Sequence, residues 1–98
     1  MSVVFEIKDK TGRKLRMTGW NWEHIIKRHP DISAEKEKII ETLENPDKIT
    51  RSLKDEKVRF YYKYYKHRKS VNKFLMVLVK YLNGDGFIIS AHFVRAVK

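Results

Sequence analysis

The chain has 98 residues, enough for one small domain with a single hydrophobic core. Its 42% hydrophobic and 12% aromatic content excludes a disordered basic tail. The absence of cysteine excludes a disulfide framework, a thiolate metal site and a cysteine nucleophile, while the formal net charge of +10 favours a polyanionic partner, most simply nucleic acid. Solubility alone is the other reading of that charge. None of the four histidines forms an i, i+4 pair, so no metal and no cofactor is expected. The first residues lack the apolar segment of a signal peptide, and the longest apolar run, residues 74–82, is too short to span a bilayer and contains Lys80. The expectation is a soluble cytoplasmic protein with no membrane partner, folded as one domain over residues 1–98.

In chain order, residues 3–7 alternate and read as a strand. Turn-forming residues 9–12 follow, and residues 14–17 return as a second short strand of a hairpin. Thr18 is a suitable N-cap for a helix over residues 20–29, with Asn21 as a rival cap. On that helix Trp22, Ile25 and Ile26 form the apolar side, and His24 and Arg28 share another face at i and i+4. Pro30 stops the helix and biases His29 away from helical geometry. Ser33 is expected to cap a second helix with Glu35 and Glu37 in its first turn, an apolar stripe of Ile39, Ile40 and Leu43, and an end at Asn45-Pro46.

The period then changes. Residues 49–53 form a short strand candidate, and residues 57–66 alternate over a longer span. One face carries Val58, Phe60, Tyr62 and Tyr64; the other carries Arg59, Tyr61, Lys63 and Tyr65. His67, Arg68 and Lys69 make a basic turn. Residues 74–82 read as a central strand buried on both faces. Residues 83–86 read as a hairpin turn, and residues 87–94 as the last strand, with Phe87, Ile89, Ala91 and Phe93 opposite Ile88, Ser90, His92 and Val94. The expected fold is α+β: a short N-terminal hairpin, two helices, then a four-stranded antiparallel sheet. If the helices cover the apolar face, the open face presents Arg59, Tyr61, Lys63, Tyr65, Ser90 and His92. Cations there would hold phosphates and tyrosine rings would stack on bases, with His67 and Arg68 beside them. Strand-forming tyrosines packing across a sheet are the plainer reading.

The stretch W-x-H-I-x-x-R-H-P-D at residues 22–31, with E-N-P-D-K-I at residues 44–49, resembles small phage and prokaryotic members of the barnase–EndoU–colicin–RelE group of metal-independent ribonucleases. The strands K-F-L-M-V-L-V-K and F-I-I-S-A-H are similar to that group's central and last strands. The resemblance implies a helix-then-sheet fold and RNA cleavage or ribosome-linked toxicity, with an acidic antitoxin or immunity protein as a possible second partner beside RNA. It points to His24, Arg28, His29 and Ser90 as site residues; His92 joins them because it shares the face of Ser90. Histidine suits both proton transfers of 2′-hydroxyl attack on phosphorus, and arginine stabilises the growing phosphoryl charge. A non-enzymatic RNA- or DNA-binding protein using the same basic face is the alternative, and a structural subunit a third. The expected roles are His24 for proton transfer and Arg28 for phosphate, with His29 and His92 both open for the second proton transfer; the enzyme gains if His24, Arg28 and that second group lie within reach of one phosphate-sized site, and the binding protein gains if the histidines scatter.

Overall fold

The computed structural model describes residues 2–97. Six strands form one mixed sheet: β1 (Val3–Lys8), β2 (Lys14–Thr18), β3 (Lys48–Arg51), β4 (Val58–Tyr64), β5 (Phe74–Leu82) and β6 (Asp85–Val94). Two helices, α1 (Gly19–Arg28) and α2 (Lys36–Glu44), separate β2 from β3. The class is α+β, as expected, but the sheet is not a four-stranded antiparallel one. The N-terminal hairpin joins it, in the order β1-β2-β6-β5-β4-β3. All neighbours are antiparallel except β2 and β6, which run parallel through Lys14↔Asp85, Leu15↔Gly86 and Arg16↔Phe87. The hairpin is recruited because Leu15 and Met17 alternate with polar residues and bury completely against the helices.

Thr18 caps α1, its Oγ1 accepting a bond from the Asn21 N–H at 3.1 Å. The rival cap, Asn21, turns instead to the sheet and donates from its side chain to Ile88 O at 2.9 Å. Ile25 is the fully packed residue of this helix, with Trp22 and Ile26 half-buried beside it. The helix ends as the sequence suggests: Pro30 disfavours helical geometry at the preceding residue, and His29 takes φ −132°, ψ 78°. The chain then makes a 3₁₀ turn, Pro30–Ile32, which buries Ile32. Ser33 closes this turn and does not cap α2; Glu35 stands at that N-cap, with no side-chain capping bond, and its carboxylate pairs with Lys38 at 3.2 Å. Ile39 and Leu43 bury the apolar stripe of α2, and Ile40 is half-buried. Each completely buried aliphatic side chain contributes about 1.5–3 kcal/mol.

Two details of the sheet set where side chains point. Asn83 (φ 51°) and Gly84 (φ +92°) both take left-handed backbone, so the β5–β6 turn has only two central residues and β6 begins at Asp85. A bulge follows: Leu78 faces Ser90 but Val79 faces Ile88, leaving Ile89 as an extra residue. The bulge overturns the expected grouping of β6, because Ile88 now buries with Ala91 and Phe93. Among the described residues no helix is long and apolar enough to cross a membrane.

Candidate functional site

The phase of β4 is the reverse of the expected one. Arg59, Tyr61 and Lys63 pair with Val79, Val77 and Leu75, all completely buried, on the side that the helices cover. Tyr61 is 0% exposed, so it cannot stack on a base. The reason is a partner that periodicity does not reveal. The Tyr61 and Tyr81 hydroxyls are 2.6 Å apart, Tyr81 donates to Asp9 Oδ2, and Asp9 Oδ1 accepts from the Thr11 hydroxyl at 2.6 Å. Burial pushes the Tyr61 and Tyr81 hydroxyls above the ordinary phenol range, and the neighbouring Asp9 adds to that. Arg59 and Lys63 flank Tyr61 with long stems and extend their charges to backbone carbonyls, Arg59 to Glu56 and Val58, Lys63 to Asn45 at 3.0 Å. Tyr65 lies beyond the end of β4 and donates its hydroxyl to Glu41 Oε1 at 2.6 Å. Burial, then that carboxylate, raises its pKa.

The helix-free face therefore differs from the expected basic one. Its rows, read across β4, β5 and β6, are Phe60-Leu78-Ser90, Tyr62-Met76-His92 and Tyr64-Phe74-Val94. Ser90 and His92 do share this face, as expected. Phe60, Tyr62, Met76, His92 and Val94 line a groove of about 600 Å³, closed along one edge by the β3–β4 connection with Arg51, Leu53 and Lys54. That connection is a tight turn. Ser52 Oγ accepts from the Lys54 and Asp55 N–H groups at 3.2 Å, Asp55 Oδ1 accepts from the Lys57 N–H at 3.0 Å, and Asp55 pairs with Lys80 at 3.0 Å. The Lys57 N–H first, then the Lys80 ammonium, holds the Asp55 carboxyl below its usual range. The support it gives the turn is thus present at neutral pH and is lost as acid protonates the carboxylate.

The histidines partly converge. The ladder between β2 and β6 stops at Phe87, and α1, packed against β6 and bonded to it through Asn21, takes over from there. The non-helical His29 ends that helix, and its ring lies on the ring of His92, with centroids 4.5 Å apart and planes 16° from parallel. Asp31, two residues on, pairs with Arg68 at 3.1 Å. The Arg68 guanidinium lies 3.5 Å from the centroid of Phe93, the neighbour of His92, and donates from Nε to Asn72 O at 3.0 Å. Arg68 thus ties the 3₁₀ turn that follows His29 to β6 and to the β4–β5 loop. It was expected among the nucleic-acid contacts; much of its donor capacity is spent inside the protein. His67 is exposed on the same loop.

His24 and Arg28, expected to converge with a second proton-transfer group, do not join this pair. His24 is exposed on α1 and lines a shallow depression with Trp20, Glu23 and Lys27; Arg28 is exposed one turn on. Their i, i+4 face points to solvent, because Ile25 fixes the opposite side in the core. Among the described residues no group of three or more His, Asp or Glu side chains is placed to hold a metal ion. The groove cations Arg51 and Lys54, and the ties made by Arg68, were not read from the sequence. The signal for the groove was present in the alternation of Phe60, Tyr62 and Tyr64, but alternation alone carries no phase. Comparison with protein-family models, curated proteins and solved structures finds no match.

Proposed function

We propose that the protein is a metal-independent ribonuclease of the barnase–EndoU–colicin–RelE type, with His29 and His92 as its two proton-transfer residues. The observation that carries this reading is the stacked pair itself: two imidazoles, from the end of α1 and from β6, meet beside a groove edged by cations. In the proposed reaction one neutral imidazole takes the proton of a ribose 2′-hydroxyl. The oxygen attacks the adjacent phosphorus, and the other ring, as imidazolium, protonates the departing 5′ oxygen. The products are a 2′,3′-cyclic phosphate and a free 5′-hydroxyl. Arg51 and Lys54 would hold flanking phosphates, and Ser90, on the His92 face, would position ribose or phosphate. His24 and Arg28 would serve as outer contacts to the RNA backbone rather than in proton transfer. The same positive charge would attract an acidic inhibitory partner.

Purified protein incubated with RNA in excess chelator tests the reading. Cleavage to 2′,3′-cyclic phosphate ends, lost in His92→Ala and His29→Ala, is expected. RNA binding without cleavage under any condition, ribosomes included, would replace it with the binding-module reading, which the +10 charge also favours.

A further inference from the structure

We infer that the groove on the helix-free face is a seat for one unstacked base of single-stranded RNA, with the exposed Leu53 at its rim. The inference rests on the ribonuclease reading for its ligand and deepens it by naming the substrate class. Leu53 is 103% exposed, an unusual place for a leucine at the edge of an apolar groove. The connection that carries it is tied by Ser52, by Asp55 and by the Asp55–Lys80 ion pair, which order the backbone on either side of Leu53. The floor it overlooks includes Phe60 and Met76, both half-buried. A nucleobase has two apolar faces and a polar edge, and the groove's volume of about 600 Å³ lies in the range of sites that enclose a small ligand.

Charge selects the occupant. The groove edge carries Arg51 and Lys54, and no Asp or Glu side chain lines it. Such a margin suits a ligand whose apolar part carries an adjoining anion, as a nucleotide within a strand does. A duplex does not qualify, since its bases are stacked and cannot lie against Met76 and Leu53 without being extruded. The seat adjoins the chemistry, because His92 lines the same groove. A base placed there puts its own ribose or an adjoining phosphate next to the imidazole pair.

The test uses the intact protein and a short RNA carrying one 2-aminopurine, alone and annealed to its complement, with binding, fluorescence and cleavage read in parallel. The expected result is at least tenfold tighter binding of the single strand, with a fluorescence change on binding. Leu53→Ser and Met76→Ala should each weaken single-strand binding several-fold and reduce the fluorescence change, with little effect on the duplex. Arg51→Ala with Lys54→Ala should weaken both forms. Equal binding of the two forms, or Leu53→Ser and Met76→Ala proteins that remain folded and bind as wild type, would overturn the inference while leaving the ribonuclease reading intact if cleavage persists. Base seating without cleavage supports the inference and removes the ribonuclease reading. A concentration-dependent dimer abolished by Leu53→Ser would put a second copy in the groove and overturn the inference.

Discussion

The hydroxyls of Tyr61 and Tyr81 lie 2.6 Å apart within the core, and Tyr81 passes the chain of hydrogen bonds on to Asp9. This contact fixes the phase of β4 and so decides which side chains reach the helix-free face. It also ties stability to alkaline pH. Both folded-state pKa values stand above the ordinary phenol value of about 10, as does that of Tyr65. Their contribution is therefore fully present below pH about 10 and is lost as pH rises through the folded values. In a titration followed by ultraviolet absorbance, fewer than the five tyrosines should ionise before the chain unfolds. Tyr81→Phe leaves the Tyr61 hydroxyl and Asp9 Oδ2 without this partner, while Asp9 Oδ1 keeps its bonds to Thr11 and Arg13, and should destabilise by about 2–3 kcal/mol in a denaturant melt. Tyr61→Phe leaves the Tyr81–Asp9 bond in place and should lower stability by about 1 kcal/mol, with RNA affinity unchanged.

The imidazole pair predicts a division among the histidines. His29→Ala and His92→Ala should each lower RNA cleavage about 10²- to 10⁴-fold, with smaller effects on affinity. His24→Ala should cleave within a few-fold of wild type. If, as proposed, one ring acts as base and the other as acid, the wild-type rate should pass through a maximum with pH, and each single variant should lose one limb. A His24→Ala protein as inactive as His92→Ala would move the chemistry onto the outer face of α1.

Arg68 gives a test of positioning. Its ion pair with Asp31 is partly exposed, and such pairs contribute about 0–1 kcal/mol; its contact with Phe93 adds about 0.5–1 kcal/mol. Arg68→Ala should therefore cause a modest loss in thermal stability. It should lower the turnover rate more than RNA affinity, because the turn that follows His29 loses its tie to β6. Arg68→Lys keeps the charge but not the planar stack and should fall between. Wild-type turnover in Arg68→Ala would show that His29 needs no such support.

Gly86 sits where β5, β6 and β2 meet, opposite Tyr81 on one side and Leu15 on the other. A Cβ there would lie 2.5 Å from Lys80 O and 2.9 Å from Leu15 Cδ2. The first neighbour is backbone and cannot move aside cheaply. Gly86→Ala should destabilise by about 1–3 kcal/mol, measurable by denaturant unfolding; Gly84→Asn, where nothing crowds the site, should cost about 1 kcal/mol from the strain of a side chain at φ +92° alone, and Gly84→Ala more, since asparagine tolerates left-handed backbone better.

How much of this was legible in the sequence depends on how local each feature is. The Thr18 cap, the Pro30 stop and the departure of His29 from the helix depend on adjacent residues and were readable. So were the placement of β5 and the shared face of Ser90 and His92, which follow from alternation beyond the bulge. The phase of β4 was not. Its residues alternate between aromatic and basic-aromatic sets of similar β-propensity, and the choice is made by Tyr81 and Asp9, both distant in sequence. The bulge at Ile89 leaves no distinctive residue. The entry of the hairpin into the sheet, and the meeting of His29 rather than His24 with His92, are products of tertiary packing alone.

The parallel seam between β2 and β6 makes the order of assembly matter. The β4–β5–β6 meander is built from neighbouring segments, whereas the β1–β2 hairpin, which pairs Lys14 with Lys8 locally, joins the sheet only when Lys14 meets the distant Asp85. Contacts so distant in sequence close slowly, and a ladder this short is a natural place for sub-global opening. Because α1 follows β2 without a linker and His29 terminates α1, a seam that opens can draw one imidazole away from the other while most of the sheet stays formed. Amide exchange should then show β1 and β2 released ahead of β5, and the paired rings would exist only in the fully closed molecule.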